Sequence, residues 1–290
     1  MRIIRRLFYT TITTFIILTI YTISNIDRNV LRTNLEIENI TNLKTDTIYL
    51  LNKDNYLTKV DIFLDSKNQK DKIYNIVECL KKTKNLKSNY KGYIPKNTKI
   101  ISLDIKDKTI YIDLTKDFNE SDINISVPGL VKSLLEIKNI DKIDLKVEGK
   151  YLENYNRLLT KDIAINKKYY LNDRKNINKV VIYYLTEDNN YIPVTKYLND
   201  KREKIEIIVD ELTNNTDFYL ISYLNSNTRL INYKEENNVL LLNFNKYLID
   251  DKNIIDYNLL ELSYSIFDNY DVYSVIFEVD GKQLDIINKK

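Results

Sequence analysis

The 290-residue chain has no histidine, no tryptophan, one cysteine, one methionine, four glycines and three prolines. Each scarcity removes a class of chemistry. Without histidine there is no histidine-based catalytic triad and no imidazole general base, and the commonest zinc ligand is missing. A lone Cys79 leaves no second cysteine for an intramolecular disulfide, and no base is identifiable to make its thiol a nucleophile. Four scattered glycines give no glycine-rich loop to cradle a phosphate. A surplus of one charge is lacking too. Lys and Arg number 44 and Asp and Glu 41, a formal net charge of +3. Arg2, Arg5 and Arg6 precede Leu7, and without them the balance is 44 − 3 = 41 basic residues against 41 acidic ones. Duplex binding needs a basic surplus on one face to displace phosphate counterions, so nucleic acid is not an expected partner. Any enzyme here is limited to carboxylates, lysines and tyrosines.

What is present begins with a membrane signal. "MRIIRRLFYTTITTFIILTIYTISNI" sets three arginines before a charge-free stretch, Leu7 to Ile26. About 20 largely apolar residues span a bilayer, and this stretch is just long enough. The charge order leaves the N-terminus in the cytoplasm and the body outside it. The rival is a cleaved signal peptide, with Thr22-Ile23-Ser24 as a poor cleavage site, but the apolar stretch exceeds a usual signal core. Residues 1–43 are therefore read as a short tail, a single-pass anchor and a polar spacer.

The body is one unit written twice. "KIYNIVECLKK" carries Ile73, Ile76, Val77 and Leu80 at the spacing of one helix face, and "KIEIIVDELTN" carries Ile205, Ile208, Val209 and Leu212. The differences 205 − 73, 208 − 76, 209 − 77 and 212 − 80 are all 132. "VEGK" at Val147–Lys150 returns as "VDGK" at Val279–Lys282, again 132 apart, and "IYLL" at Ile48–Leu51 answers to "IYYL" at Ile182–Leu185. Recurrence in order marks a duplication. Each copy reads as a strand pair (Thr47–Leu51 with Leu57–Leu64; Val180–Leu185 with Tyr191–Tyr197) and the amphipathic helix. Two alternating strands follow (Lys99–Ile105 with Thr109–Leu114; Arg229–Tyr233 with Val239–Phe244). A second helix around Leu130–Ile137 or Leu259–Phe267 leads to a last strand, Lys142–Glu148 or Tyr273–Asp280. The expected fold is α+β: two separate tandem domains, 44–152 and 178–290, each a small sheet with two helices on one face, joined by a polar linker, 153–177.

No residue is assigned a catalytic, cofactor-binding or metal-binding role. Asp104, Asp113 and Asp117 could be taken for a carboxylate cluster. Asp104, however, shares a solvated strand face with Ser102, opposite Ile101, Leu103 and Ile105. Asp113 becomes Asn243 in the second copy and Asp117 becomes Tyr247. A hairpin is the better reading. Gly149 and Gly281 are expected to end a strand at positive φ. Cys79 sits beside the buried stripe and is read as inert, and the 24 tyrosines as strand-packing residues before a sugar platform.

The order "P-x-x-T-K-x-I-S-L" (Pro95–Leu103), "I-x-I-D-L-T-K-D-F" (Ile110–Phe118), a helix with Ser133-Leu134, and "I-D-K-I-D-L-K-V-E-G-K" (Ile140–Lys150) resembles the GerMN domain of bacterial sporulation and germination proteins. The second copy keeps the helix, Asn227–Leu230 and "V-D-G-K", so the resemblance covers roughly Lys44 to Asp285. It implies a ring-building type of fold, no enzymatic activity and no cofactor. It also implies partners among envelope or sporulation-channel proteins, self-association into a ring, and a place between mother-cell and forespore membranes. Two departures stand out: family members are commonly lipoproteins, whereas no cysteine directly follows the apolar segment here, and Asn97 replaces the glycine of the usual "P-x-G-T". The competing functions are a peptidoglycan-binding envelope module and a hydrolase with two paired carboxylates.

Overall fold

The computed structural model describes residues 45–82, 89–251 and 253–289. The expected anchor, Leu7–Ile26, lies outside them. Among the described residues no helix is long and apolar enough to cross a membrane.

The first copy runs β1 (Asp46–Leu51), β2 (Leu57–Ile62), α1 (Gln69–Cys79), β3 (Ile100–Lys106), β4 (Thr109–Leu114), α2 (Ile123–Leu135), β5 (Lys142–Val147) and β6 (Lys150–Tyr151). The connecting segment adds β7 (Leu158–Leu159) and β8 (Lys168–Tyr170). The second copy repeats the order as β9 (Asn178–Leu185), β10 (Tyr191–Leu198), α3 (Lys204–Thr213), β11 (Leu230–Glu236), β12 (Val239–Phe244), α4 (Ile255–Asn269), β13 (Ser274–Val279) and β14 (Lys282–Asn288).

The α+β class and the tandem order agree with the sequence, but the sheets are arranged differently from the expectation. The opening hairpins do not join the sheet of their own copy. β3-β4-β5-β6 and β11-β12-β13-β14 form two separate sheets, each with one parallel pair (β4 with β5, β12 with β13). The hairpins β1-β2 and β9-β10 meet in a third, central sheet, where Tyr191 pairs with Lys59. The helices lie between layers. α2 touches both β1 and β5, and α4 both β9 and β13. This explains why α2 is buried without a break from Ser126 to Leu134, as a helix covered on all sides must be.

Residues 46–290 form one compact unit, within which each copy keeps its own buried hydrophobic cluster, Ile48 to Ile165 in the first and Val180 to Phe277 in the second. The physical reason the copies join lies in β10. Past Tyr191, its next place opposite β2 is Pro193, which has no N–H to offer a ladder. Asn166, from the connecting segment, fills the gap. Its Nδ2 donates to the carbonyls of Leu57 and Pro193 (2.8 Å each), and its Oδ1 accepts from Leu57 N–H (2.9 Å). Ile165, buried beside it, exchanges backbone and side-chain bonds with Thr195. The polar connector is therefore built into the central sheet.

The outer edges of that sheet are capped by the helices, in the same way twice. Tyr49 N–H donates to Ser133 Oγ on α2 and Tyr183 N–H to Ser265 Oγ on α4, both at 2.9 Å. Each serine hydroxyl donates in turn to the carbonyl four residues earlier, Gly129 or Glu261. Covering an edge in this way removes a template for unwanted strand pairing.

α2 begins seven residues before the sequence reading placed it. Asp122 caps it by accepting from Asn124 N–H, and Pro128 and Gly129, residue types that commonly break helices, lie inside. Gly129 is required by contact: a Cβ there would sit 2.4 Å from the Tyr93 hydroxyl.

Candidate functional site

The three aspartates do not converge on one site. Asp104 is 68% exposed on β3 and pairs with Lys70 of α1 at 3.3 Å. A backbone bond from Ile105, then Lys70, hold its carboxyl below the usual range. Asp113 accepts from Gly149 N–H through both oxygens (3.0 and 3.1 Å), and Asn243 accepts from Gly281 N–H at 2.9 Å. The carboxylate and the amide do the same work, pinning a turn whose glycines have φ of 74° and 75°. Asp117 lies in a short 3-10 turn, Lys116–Glu120. Cys79 is buried at the end of α1.

The tyrosines are mostly structural, though not uniformly buried. Tyr169 and Tyr197 stack at 4.9 Å across the β8–β10 ladder. That is the strand spacing, and each ring spends a face on the other instead of presenting a flat platform. Among the described residues no group of three or more His, Cys, Asp or Glu is placed to hold a metal ion.

A cluster that the sequence did not single out lies at the junction of the copies, around a cavity of about 350 Å³. Its members come in repeat-related pairs. Tyr49 donates to Glu136 (3.1 Å) and Tyr183 to Asp268 (3.0 Å), and the offsets are 183 − 49 = 134 and 268 − 136 = 132. Two lysines from the first copy complete it. Lys132 on α2, 5% exposed, reaches across to Asp268 at 2.7 Å. Lys59 on β2 bonds Glu136 at 3.1 Å and lies 4.5 Å from the ring centre of Tyr264, which occupies in the second copy the place of Lys132. Burial alone would raise Asp268. The adjacent Lys132 ammonium and the bonds from Lys132 and Tyr183 outweigh it, so the carboxyl titrates below its usual range. Burial pushes the Tyr49 and Tyr183 phenols well up, which keeps both as donors.

Chemically the cluster is self-satisfied: two carboxylates, two ammonium groups and two phenols are spent on each other. Such an arrangement fixes the orientation of one copy on the other. Each carboxylate is held by a phenol and an ammonium group. The repeat offset was the sequence signal that could have found it, because it aligns Tyr49 with Tyr183 and Glu136 with Asp268.

One buried acid stands apart. Glu261 on α4 is fully buried, accepts from Ser222 Oγ at 3.1 Å, and its other oxygen has no partner. Burial raises its pKa well above the usual range. It occupies the position of Gly129 (261 − 129 = 132). Tyr93 packs onto Gly129 in the first copy, whereas its counterpart Tyr223 donates instead to Asn189.

Residues 47–153 match the family described as Germane: sporulation and spore germination. No curated protein matches the chain. Among solved structures, the chain is similar to the tandem GerMN domains of the sporulation protein GerM from Bacillus subtilis, at 20% identity and a TM-score of 0.73, over 85% of this chain and 97% of that one. The first GerMN domain of the same protein also matches, at 19% identity and a TM-score of 0.37, over 40% of this chain and 97% of that one. The first copy thus matches the Germane sporulation and germination family, and the two copies together have the fold of tandem GerMN domains.

Proposed function

We propose that the protein is a membrane-anchored, non-catalytic assembly protein of sporulation, working outside the cytoplasm. The observation that carries this reading is the match of residues 47–153 to a sporulation and germination family. The GerM-like fold of the whole body supports it. In this account Leu7–Ile26 holds the chain in the membrane, and the rigid pair of copies is displayed between the mother-cell and forespore membranes. There it supports assembly of the channel that joins the two compartments. Two repeats locked in one orientation suit head-to-tail association, since each subunit offers one surface to the neighbour before it and another to the neighbour after, and such contacts close into a ring when the rotation allows. The near-equal balance of acidic and basic residues limits long-range repulsion between subunits crowded on a membrane.

Protein location tests the anchored part of the reading. In fractionated sporulating cells the full chain is expected with membranes, and in non-sporulating cells made to express it, protease added to protoplasts is expected to digest residues 46–290. Release of a soluble, shortened form, or protection of the body from protease, would contradict it.

A further inference from the structure

The two copies differ where the first helix faces the free edge of the outer sheet. In the first copy α1 packs on β3, and Lys70 bridges to Asp104 across the gap. In the second copy α3 makes no comparable packing with β11. The residues at the bridging positions are Arg202 (202 − 70 = 132) and Lys234 (234 − 104 = 130), two cations that cannot bridge. Arg202 turns away to Asp200 and Asp210 (2.7 and 2.8 Å), and Lys234 pairs with Glu236. A groove of about 730 Å³ is left between helix and strand.

Its walls have a definite character. Val209 on α3 and Leu230, Ile231 and Tyr233 on β11 supply the apolar part of the lining, while Arg202, Glu206 and Asp210 put charge along the helix wall and Arg229 at the strand's start. A register shift between Leu230 and Asn232 turns Ile231 outward, 52% exposed. β11 is an edge strand of seven residues that pairs only with β12, so one row of its backbone groups faces the groove. The charges that commonly guard such an edge, Lys234, Glu235 and Glu236, stand at its far end and leave Leu230–Tyr233 open. Arg229 marks the near end. Its guanidinium donates to the carbonyls of Ser226 and Thr228, both at 2.7 Å, and forms no ion pair with a carboxylate among the described residues. Two backbone carbonyls aim a cation for which no carboxylate among the described residues supplies the counter-charge.

We propose that this groove receives an extended segment of a protein partner, which adds as a strand antiparallel to β11. Apolar side chains at alternate positions face Val209 and Ile231, and an acidic side chain near the C-terminal end of the segment meets Arg229. Strand addition between an edge and a helix draws affinity from the backbone ladder and selectivity from the alternating pockets and the charge at one end. The inference does not depend on the sporulation reading, since it concerns binding alone.

The test uses the full-length chain in mild detergent and two labelled peptides of alternating Thr and Val, matched to the seven residues of β11. Both are C-terminally amidated, and one ends in Glu, the other in Lys. Fluorescence anisotropy is expected to show the Glu peptide binding at least ~10-fold more tightly, the equivalent of one charge-assisted pair. Arg229→Glu is expected to reverse the preference, which an unfolded variant cannot do. Hydrogen exchange on the unaltered protein is expected to slow along Leu230–Glu236 when the Glu peptide is bound. Failure of the Glu peptide to bind, equal binding of both peptides, or protection elsewhere than β11 overturns the proposal.

Discussion

Lys132 is the residue on which the junction between the copies turns. It is almost wholly buried, and Asp268 is its carboxylate partner, 16% exposed. Replacing Asp268 with Asn leaves a buried ammonium uncompensated, and a loss of about 3–5 kcal/mol is expected in urea unfolding at neutral pH. The pH dependence follows from the sign of the shift. The folded carboxyl titrates below its usual range, so its contribution is present above the unfolded value of about 3.9 and is lost as pH falls through the lowered folded value. The difference between parent and variant should therefore shrink on acidification. Glu261 has the opposite sign. Its folded pKa is raised, so folding favours the protonated acid, and that advantage is full below about 4.3 and is lost as pH rises toward the folded value. Glu261→Gln is expected to stabilise the protein at pH 7, on the order of 1–3 kcal/mol, and to bring no gain near pH 4. A variant less stable than the parent at both pH values would show that the carboxyl is needed where it sits.

At the level of elements, the helix stripes and the strand alternation were legible in the sequence, and the pairing of the hairpins was not. Alternation says which face of β1, β2, β9 and β10 is buried but not which strand lies beside which, because a partner in the other copy satisfies it equally well. Asn166 gave no signal, since an asparagine in a polar connector is ordinary until Pro193 is seen to lack the donor it replaces. The start of α2 was missed because Pro128 and Gly129 usually end helices, and only the packing of Tyr93 explains the glycine. Two predictions belong here. Asn166→Ala removes the clip between the hairpins and leaves Leu57 N–H unmatched, at about 1–3 kcal/mol. Ile76→Asp and Ile208→Asp each bury a charge in a core and are expected to be severely destabilising, on the order of 4 kcal/mol or more. Because the copies share a sheet, each change should lower one common thermal transition followed by circular dichroism. Independent melting of one half would contradict the shared sheet.

For the whole molecule, the duplication explains both the likeness of the copies and their differences. Repeated devices hold the frame: the serine bonds to the sheet edges, the tyrosine–carboxylate pairs and the pinned glycine turns. Changes between copies fall at the junction and at the groove beside β11, where a surface has been joined or left open. That division suits a protein that works by being held and by holding others. The central claim is that it serves sporulation by association and not by turnover. The most direct measurement is the count of heat-resistant spores from a deletion strain of the parent organism, complemented either by the full chain or by the triple variant Asp104→Asn, Asp113→Asn, Asp117→Asn. The account predicts that deletion lowers the count and that both chains restore it equally, because Asn243 already does in the second copy what Asp113 does in the first. A deletion with an undiminished spore count would contradict the role in sporulation, and failure of the folded, membrane-held triple variant to restore it would contradict a role without catalysis.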